Sequence, residues 1–168
     1  MDEYFSEKLK LFNLNKDNGS SVVMIDDDYG KRIADLNSNV KCISLKNEDA
    51  DYFCTSYSIN SFGLAGTLAW DSETLDFESK LIGSFNLENL ILAASIAIEL
   101  NISAPSIAKG IKNCTNIDGR LHLVENQKNQ MIFLDYAHSP DAYFRTLKAL
   151  KENFSRPLKV LFGAGGGR

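Results

Sequence analysis

Two polar side chains that could bind or react with a ligand follow a short apolar run. Asp135 and His138 lie within FLDYAHSPD (Phe133–Asp141), directly after the apolar segment Met131–Leu134. A continuous apolar run predicts a strand buried on both faces, and in parallel sheets ligands bind beyond the carboxyl ends of the strands. The pair is therefore a candidate site. A well-capped strand-to-helix turn explains the same residues equally well.

The residues that follow predict the start of a helix. Ser139 is a suitable N-cap, Pro140 fits the first helical position, and Asp141 complements the positive end of the helix dipole. We predict this helix over Pro140–Asn153 and a second apolar strand over Lys159–Gly163. Together with the first strand, these elements would form a parallel β-α-β crossover.

The sequence ends in a glycine-rich segment, Gly163–Arg168, whose backbone could come close to a ligand. It matches neither phosphate-binding fingerprint. Arg168 stands where G-x-G-x-x-G needs its third glycine, and G-x-x-x-x-G-K-[ST] does not occur in the 168 residues. The segment by itself does not indicate a nucleotide.

Lys8 has an unusual position on a helix predicted over Tyr4–Leu14. It lies three residues from Phe5 and four from both Tyr4 and Phe12, so its stem belongs to the apolar stripe of that helix. Such a lysine ordinarily extends its ammonium group to water. A desolvated lysine could instead act as a nucleophile, carry a modification or contact a bound anion.

Three further side chains could recognise a ligand. Asn86 and Asn89 lie about one turn apart at the start of a helix predicted over Phe85–Leu100, so their amides can face the same side. They could simply begin the helix, or they could recognise a purine edge. Arg120 follows the flexible Gly119 and could swing its guanidinium onto phosphate oxygens. A surface salt bridge is the alternative for this arginine.

The elements that must position these side chains fall into two groups, and we predict domains over residues 1–118 and 119–168. The first domain begins with a helix, a strand, a helix and a strand: Tyr4–Leu14, Ser21–Asp26, Tyr29–Leu36 and Val40–Leu45. Three strands without an intervening helix predict an antiparallel meander: Asp51–Ile59, Gly63–Trp70 and Thr74–Ile82. Two helices follow, Phe85–Leu100 and one that starts near Pro105. The predicted fold class is α/β.

Composition narrows the possible functions. With 44% hydrophobic residues, the 168-residue chain can bury a sizeable core. A formal net charge of −4 and a pI near 5.2, without a basic run, disfavour a nucleic-acid partner. Three separated cysteines indicate neither a disulfide framework nor a zinc site. Because every apolar stretch is far shorter than a membrane span, we expect a soluble cytoplasmic protein without a membrane partner.

Several segments, in order along the chain, resemble one family. They are YFSEKLKLF, DDDYG, LIGSFNLENLILAA, DGRLHLVE, DYAHSPD and VLFGAGGGR. In sequence and spacing they are similar to the Mur ligases, and within that family to the enzymes that add a third amino acid. The resemblance spans nearly the whole chain, and DYAHSPD and GSFNLEN are its most specific parts.

The resemblance implies an amide-bond ligase of peptidoglycan synthesis with ATP and Mg²⁺ as cofactors. Its substrates would be UDP-MurNAc-L-Ala-D-Glu and an amino acid, joined after ATP phosphorylates the glutamate carboxylate. The implied fold is the later half of a central ATP-binding domain with its meander, followed by the first β-α-β unit of a Rossmann-like third domain.

The same resemblance implies roles for individual residues. Lys8 matches a lysine that the family carbamylates to help hold Mg²⁺, and carbamylation requires the neutral amine that desolvation favours. The residues implied to face the nucleotide are Asn86 and Asn89 at adenine, Arg120 at a phosphate, Asp135 at the ribose, and His138 in the same loop. Arg120 and His138 are further implied to assist catalysis.

The resemblance also implies that the family's UDP-binding domain and G-K-T-T phosphate loop lie upstream, and that the rest of its third domain lies downstream. We therefore expect the 168 residues alone neither to bind ATP tightly nor to ligate. We also expect the apolar MIFL and KVLF segments to be partly exposed and to permit self-association. Two alternatives stay open: a segment of a cyanophycin or folylpolyglutamate synthetase, and a non-catalytic binding module that keeps the fold.

Overall fold

The computed structural model describes residues 2–14, 19–128 and 130–163. Its helices are α1 (Asp2–Asn13), α2 (Asp28–Leu36), α3 (Ser84–Glu99), α4 (Ala104–Asn113) and α5 (Pro140–Asn153). Its strands are β1 (Ser21–Met24), β2 (Val40–Ser44), β3 (Tyr52–Asn60), β4 (Gly63–Trp70), β5 (Glu73–Ser79), β6 (His122–Leu123) and β7 (Phe133–Leu134). None of these helices is long and apolar enough to cross a membrane. The predicted α/β class is confirmed.

Strands β1 to β5 form one mixed sheet in chain order. β1 pairs parallel with β2 along its whole length. β2 pairs parallel with β3 through only two residue pairs, Ile43 with Tyr52 and Ser44 with Phe53. β3, β4 and β5 are antiparallel neighbours, because the short turns between them reverse the chain direction. The predicted β-α-β start and the antiparallel meander are both confirmed.

The main hydrophobic core lies between this sheet and the two helices α3 and α4. Ile43 of β2 and Leu68 of β4 are completely buried in it, as are Leu87 and Ile91 of α3. Leu87 and Ile91 lie four residues apart, so they share one face of the helix. The apolar face predicted for the Phe85–Leu100 segment is therefore the face that packs on the sheet.

Strands β6 and β7 form a separate antiparallel pair. Phe133 of β7 packs against Phe154, with ring centroids 5.6 Å apart, but the neighbouring Leu134 is 57% exposed. Two strands cannot cover both faces of an apolar run, so the prediction that Met131–Leu134 is buried on both faces is wrong. The partial exposure expected for this run is confirmed, and self-association through it stays a prediction.

The second strand of the predicted crossover, Lys159–Gly163, does not pair with β7 in the described residues. Residues 158–163 follow α5 without forming a helix or strand, and residues 158–161 line a small cavity beside that helix. Leu161 is fully exposed and Phe162 is largely exposed. Pairing with β7 alone would not bury these side chains, because a two-stranded sheet offers no second layer to cover them.

The segments before and after residue 118 are in contact where α5 approaches the start of α3. Gly83 precedes α3 with a φ of +96°, which favours glycine. A Cβ atom at this position would lie only 3.2 Å from Cβ of Ala149 on α5. Beside this contact, Phe85 packs against Leu121 and Leu150. The start of α3 is therefore part of a second, smaller hydrophobic cluster.

Tyr52 links the meander to the end of α3. Its ring is 4% exposed, and its hydroxyl donates a hydrogen bond to Glu99 Oε1 at 2.6 Å. We expect Tyr52→Phe to lower the free energy of unfolding by about 1–2 kcal/mol, because the packing is kept and one charge-assisted hydrogen bond is lost. Urea denaturation measures this. The matched control Tyr57→Phe, at a half-exposed position, should change stability by less than about 0.5 kcal/mol. Equal effects of the two variants would show that the hydrogen bond between Tyr52 and Glu99 does not contribute to stability.

Candidate functional site

Asp135 follows β7 and binds three groups of its own chain. Its Oδ2 accepts a hydrogen bond from Leu121 N at 2.9 Å. Its Oδ1 accepts from Ala137 N at 2.9 Å and from Thr146 Oγ1 at 3.2 Å. The half-buried carboxylate thus ties the residue before β6, the loop after β7 and α5 together. These bonds support the interpretation of the segment as a capped turn, and ribose binding by Asp135 stays a prediction.

The rest of the loop is capped as predicted. Ser139 Oγ accepts a hydrogen bond from Ala142 N at 3.3 Å, and Pro140 is the first residue of α5. His138 is exposed, and its Nδ1 lies 3.0 Å from Tyr136 O. A carbonyl oxygen can only accept, so Nδ1 carries the hydrogen. In the neutral ring, Nε2 is then left as an acceptor facing solvent.

Arg120 lies in a tight turn between Gly119, with a φ of +70°, and Leu121, with a φ of +44°. Its backbone N donates to Ile117 O at 3.0 Å, and Gly119 O accepts from Tyr136 N at 2.8 Å. The side chain is exposed and makes no ion pair within the described part of the chain. The alternative of a surface salt bridge is therefore not supported among these residues.

Asn86 and Asn89 line one cavity of about 380 Å³ between α3 and α4. The cavity wall is mostly apolar and includes Leu90 and Ile107. Asn89 is exposed, so its amide is free to reach a ligand. An apolar cavity with a few polar groups is the usual form of a small-molecule site. This cavity is the strongest candidate for binding among the predicted residues.

Asn86 differs from Asn89 because it is only 1% exposed. Its Nδ2 donates a hydrogen bond to Ile82 O at 2.8 Å, which fixes the start of α3. Its Oδ1 is buried and has no hydrogen-bond partner among the described residues. An unpaired buried carbonyl is unfavourable, so a donor that reaches this oxygen would stabilise the site.

Lys8 does not lie in the buried stripe of α1. Phe5 is buried there against α2, with its ring centroid 5.5 Å from that of Tyr29. Lys8 is exposed, and its Nζ lies 5.4 Å from the centroid of the Tyr4 ring. The geometry favours the ordinary interpretation, in which the ammonium group reaches water. The desolvation offered in support of carbamylation is absent at this position, and the modification stays a prediction.

A charged cluster that sequence analysis did not identify lies where α3 meets α5. Glu88 Oε2 is 3.9 Å from Arg145 Nη1, and Arg145 Nε is 3.0 Å from Asp141 Oδ2. Burial raises the pKa of Glu88, although Arg145 opposes the increase and the Asp26 carboxylate adds to it. The i,i+4 spacing of Asp141 and Arg145 on the predicted helix is a local signal for their ion pair. No local pattern could have revealed the contact with Glu88, because it depends on the packing of two helices that are distant in sequence.

The structure does not gather the predicted site residues into one pocket. Asn86 and Asn89 share the cavity between α3 and α4, whereas Asp135 lines a smaller cavity beside α5. Arg120 and His138 line neither of these two cavities. The convergence implied by the resemblance is therefore not seen in the described residues.

The glycine-rich segment and the predicted magnesium site remain to be placed. Residues 164–168 of the glycine-rich segment lie outside the described residues. Within residues 2–14, 19–128 and 130–163, no group of three or more His, Cys, Asp or Glu side chains is arranged to hold a metal ion.

Comparison with known proteins gives the same family as the sequence motifs. The model of the Mur ligase middle domain matches residues 1–97, and that of the Mur ligase glutamate ligase domain matches residues 119–168. The UDP-N-acetylmuramoyl-L-alanyl-D-glutamate--2,6-diaminopimelate ligase of Nostoc sp. (strain PCC 7120) is 31% identical over 172 residues. That match covers 100% of this chain and 35% of the relative, so the chain spans about a third of the length of the curated relatives it matches.

Solved structures agree with this relationship. A UDP-N-acetylmuramoyl-L-alanyl-D-glutamate--2,6-diaminopimelate ligase is 28% identical with a TM-score of 0.72, and the match covers 99% of this chain and 35% of that one. The folylpolyglutamate synthetase of Lactobacillus casei has a TM-score of 0.74 at 18% identity, covering 94% of this chain and 41% of that one. The second similarity shows a common fold alone.

The raised pKa of Glu88 predicts a specific pH dependence of stability. The folded state binds the proton more tightly than the unfolded state, so ionisation of Glu88 destabilises the fold as pH rises through its folded pKa. Glu88→Gln mimics the protonated acid at every pH. We expect this variant to be slightly more stable than the parent at pH 8 and nearly equal to it at pH 4, in thermal unfolding monitored by circular dichroism. The control Glu48→Gln, on an exposed turn, should show no such trend. A variant less stable at pH 8 would show that the Arg145 pair outweighs burial.

Proposed function

The chain belongs to the Mur ligase family, and on this premise we propose that it is part of a UDP-N-acetylmuramoyl-tripeptide synthetase. The observation that carries the proposal is the alignment of diaminopimelate-adding ligases along 100% of the chain at about 30% identity. The two most specific motifs, GSFNLEN and DYAHSPD, lie at the starts of α3 and α5. The proposed place of action is the cytoplasm.

The proposed reaction joins an amino acid to UDP-MurNAc-L-Ala-D-Glu. ATP transfers its γ-phosphoryl group to the free glutamate carboxylate, which gives an acyl phosphate and ADP. The amine of the incoming amino acid then attacks the acyl carbon, phosphate leaves, and the amine loses one proton as the amide forms. Negative charge on the phosphoryl oxygens must be stabilised throughout, and a guanidinium suits that task. We assign it to the exposed Arg120, with His138 in the neighbouring loop.

The cavity between α3 and α4 is the proposed adenine site. Its apolar wall suits a flat aromatic base, and Asn89 offers both a donor and an acceptor at its surface. The unpaired Oδ1 of Asn86 lacks a donor, and an exocyclic amino group is a donor of the right kind. This oxygen is buried, so the contact requires a small movement of the side chain. Asp135 would face the ribose in the same proposal.

The proposed Mg²⁺ ion has less support. The described residues offer no cluster of three metal-binding side chains, and Lys8 would have to gain a carbamate before it could contribute. We assign the ion no ligand beyond that carbamate and route no step of the reaction through it. Carbamylation of Lys8 remains part of the proposal because its position in YFSEKLKLF matches the family.

The activity can be tested on the complete product of the gene that encodes this chain. We expect phosphate release only when ATP, UDP-MurNAc-L-Ala-D-Glu and an amino acid such as diaminopimelate or lysine are all present. Arg120→Ala should lower kcat by about 100-fold or more, because it removes the positive group that stabilises the negative charge developing on the phosphoryl oxygens. The control Arg156→Ala, on an exposed segment, should leave kcat unchanged.

The alternatives give different outcomes in the same assay. Phosphate release with a folate and glutamate would identify a folylpolyglutamate synthetase, and release with an aspartate-arginine polymer together with free aspartate or arginine would identify a cyanophycin synthetase. Binding of nucleotide without turnover of any of these substrates would support a non-catalytic module. Each of these results would overturn the proposed reaction while leaving the family assignment intact.

The adenine site has its own test. Asn89→Ala in the complete product should raise KM for ATP by about 5- to 10-fold and change kcat by less than about 2-fold, because one hydrogen bond to the base is lost in ground and transition states alike. Ser84→Ala is a matched control, since Ser84 is exposed in the first turn of the same helix. An unchanged KM for Asn89→Ala would exclude Asn89 from the adenine site.

A further inference from the structure

The turn that carries Arg120 has an unfavourable backbone conformation. Leu121 has a φ of +44°, a region that residues with a Cβ atom rarely adopt, and Gly119 before it has a φ of +70°. Arg120 lies between two left-handed residues. Because this conformation is intrinsically unfavourable for leucine, the contacts around the turn must hold it in place.

A single carboxylate provides the central contact. Asp135 Oδ2 accepts the hydrogen bond from Leu121 N at 2.9 Å, so it binds directly to the strained residue. Thr146 Oγ1 donates to Asp135 Oδ1 at 3.2 Å from the first half of α5. The Leu121 side chain is buried against Leu150 of the same helix. The turn is therefore fixed to α5 in two ways: by hydrogen bonds that run through Asp135, and by an apolar contact.

The guanidinium of Arg120 has no comparable support of its own. It is exposed, and no acidic side chain in the described residues forms an ion pair with it. Among the described residues, no hydrogen bond or ion pair of the side chain helps the turn to set its direction. A change in φ at Leu121 could therefore redirect Arg120 without breaking such a bond.

We propose that Thr146 is a positioning residue for Arg120, acting through Asp135 and the main chain of Leu121. This inference rests on the proposed function, in which Arg120 binds a phosphate. Thr146 was not a candidate in the sequence analysis, because a threonine within a helix carries no signal of its own. The inference also gives Asp135 a role that does not depend on contact with a ribose.

The test compares three variants of the complete gene product. Thr146→Val keeps the shape of the side chain and removes the hydroxyl, whereas Thr146→Ser keeps the hydroxyl. We expect Thr146→Val to lower kcat/KM for ATP by about 5-fold and Thr146→Ser to restore it to within about 2-fold of the parent. Thr74→Val, at an exposed position of β5, is the matched control and should have no effect.

A double-mutant cycle separates positioning from a general loss of structure. If Thr146 acts through Arg120, then Thr146→Val should have no further effect on kcat/KM in an Arg120→Ala background. An equal loss in both backgrounds, or no loss in the parent, would overturn the inference while the proposed function stands. No effect of Arg120→Ala itself would overturn the proposed role of Arg120, and the inference with it.

A spectroscopic measurement on the 168-residue chain provides an independent readout. In ¹H–¹⁵N correlation spectra, we expect Thr146→Val to shift the amide signals of Leu121 and Ala137, because both donate to the Asp135 carboxylate. Thr146→Ser should leave these signals close to their parent positions. Unchanged Leu121 and Ala137 signals in Thr146→Val would overturn the proposed coupling whatever the kinetics show.

Discussion

The close approach of α5 to the start of α3 is the constraint on which the rest of the arrangement depends. A Cβ atom at Gly83 would come within 3.2 Å of Ala149 Cβ, a tight contact at a residue whose φ of +96° already favours glycine. This contact lets Phe85 pack in the same cluster as Leu121. Because Asn86 directly follows Phe85 and Arg120 directly precedes Leu121, the packing brings the main chains of two proposed nucleotide-binding residues close together. The Asn86 side chain is nevertheless buried, whereas that of Arg120 is exposed.

Neighbouring residues in the first turns of α3 contribute to hydrophobic packing, to the helix start, to an ion pair and to the cavity. Phe85 belongs to the small hydrophobic cluster, Asn86 fixes the helix start, and Leu87 is completely buried in the main core. Glu88 meets Arg145, and Asn89 faces the cavity. A substitution in this segment therefore affects packing and ligand binding together. Effects on activity need a parallel measurement of stability before they are assigned to the site.

Local patterns predicted most of the fold but little of the site geometry. The helices and the meander follow from apolar spacing and turn residues, and the capping of α5 by Ser139 was predicted in the same way. The position of the Lys8 stem outside the buried stripe of α1 was not, because it depends on how α1 rotates against α2. The missing pairing of Lys159–Gly163 likewise depends on the amount of apolar surface that long-range packing can bury. Thr146 had no sequence signal, since its role depends on a carboxylate from another element.

The two residue pairs that join β2 to β3 make this junction the narrowest part of the sheet. Asp51 reinforces it by accepting hydrogen bonds from Cys42 N at 2.8 Å and Lys41 Nζ at 2.9 Å. Although burial opposes the change, these two bonds lower the pKa of Asp51. Besides these bonds, β2 is held to the meander by the main core, in which Ile43 is completely buried. Because its pKa is lowered, Asp51 stays ionised during mild acidification, and its contribution to the junction is lost only in strong acid, as the pH falls through that lowered pKa.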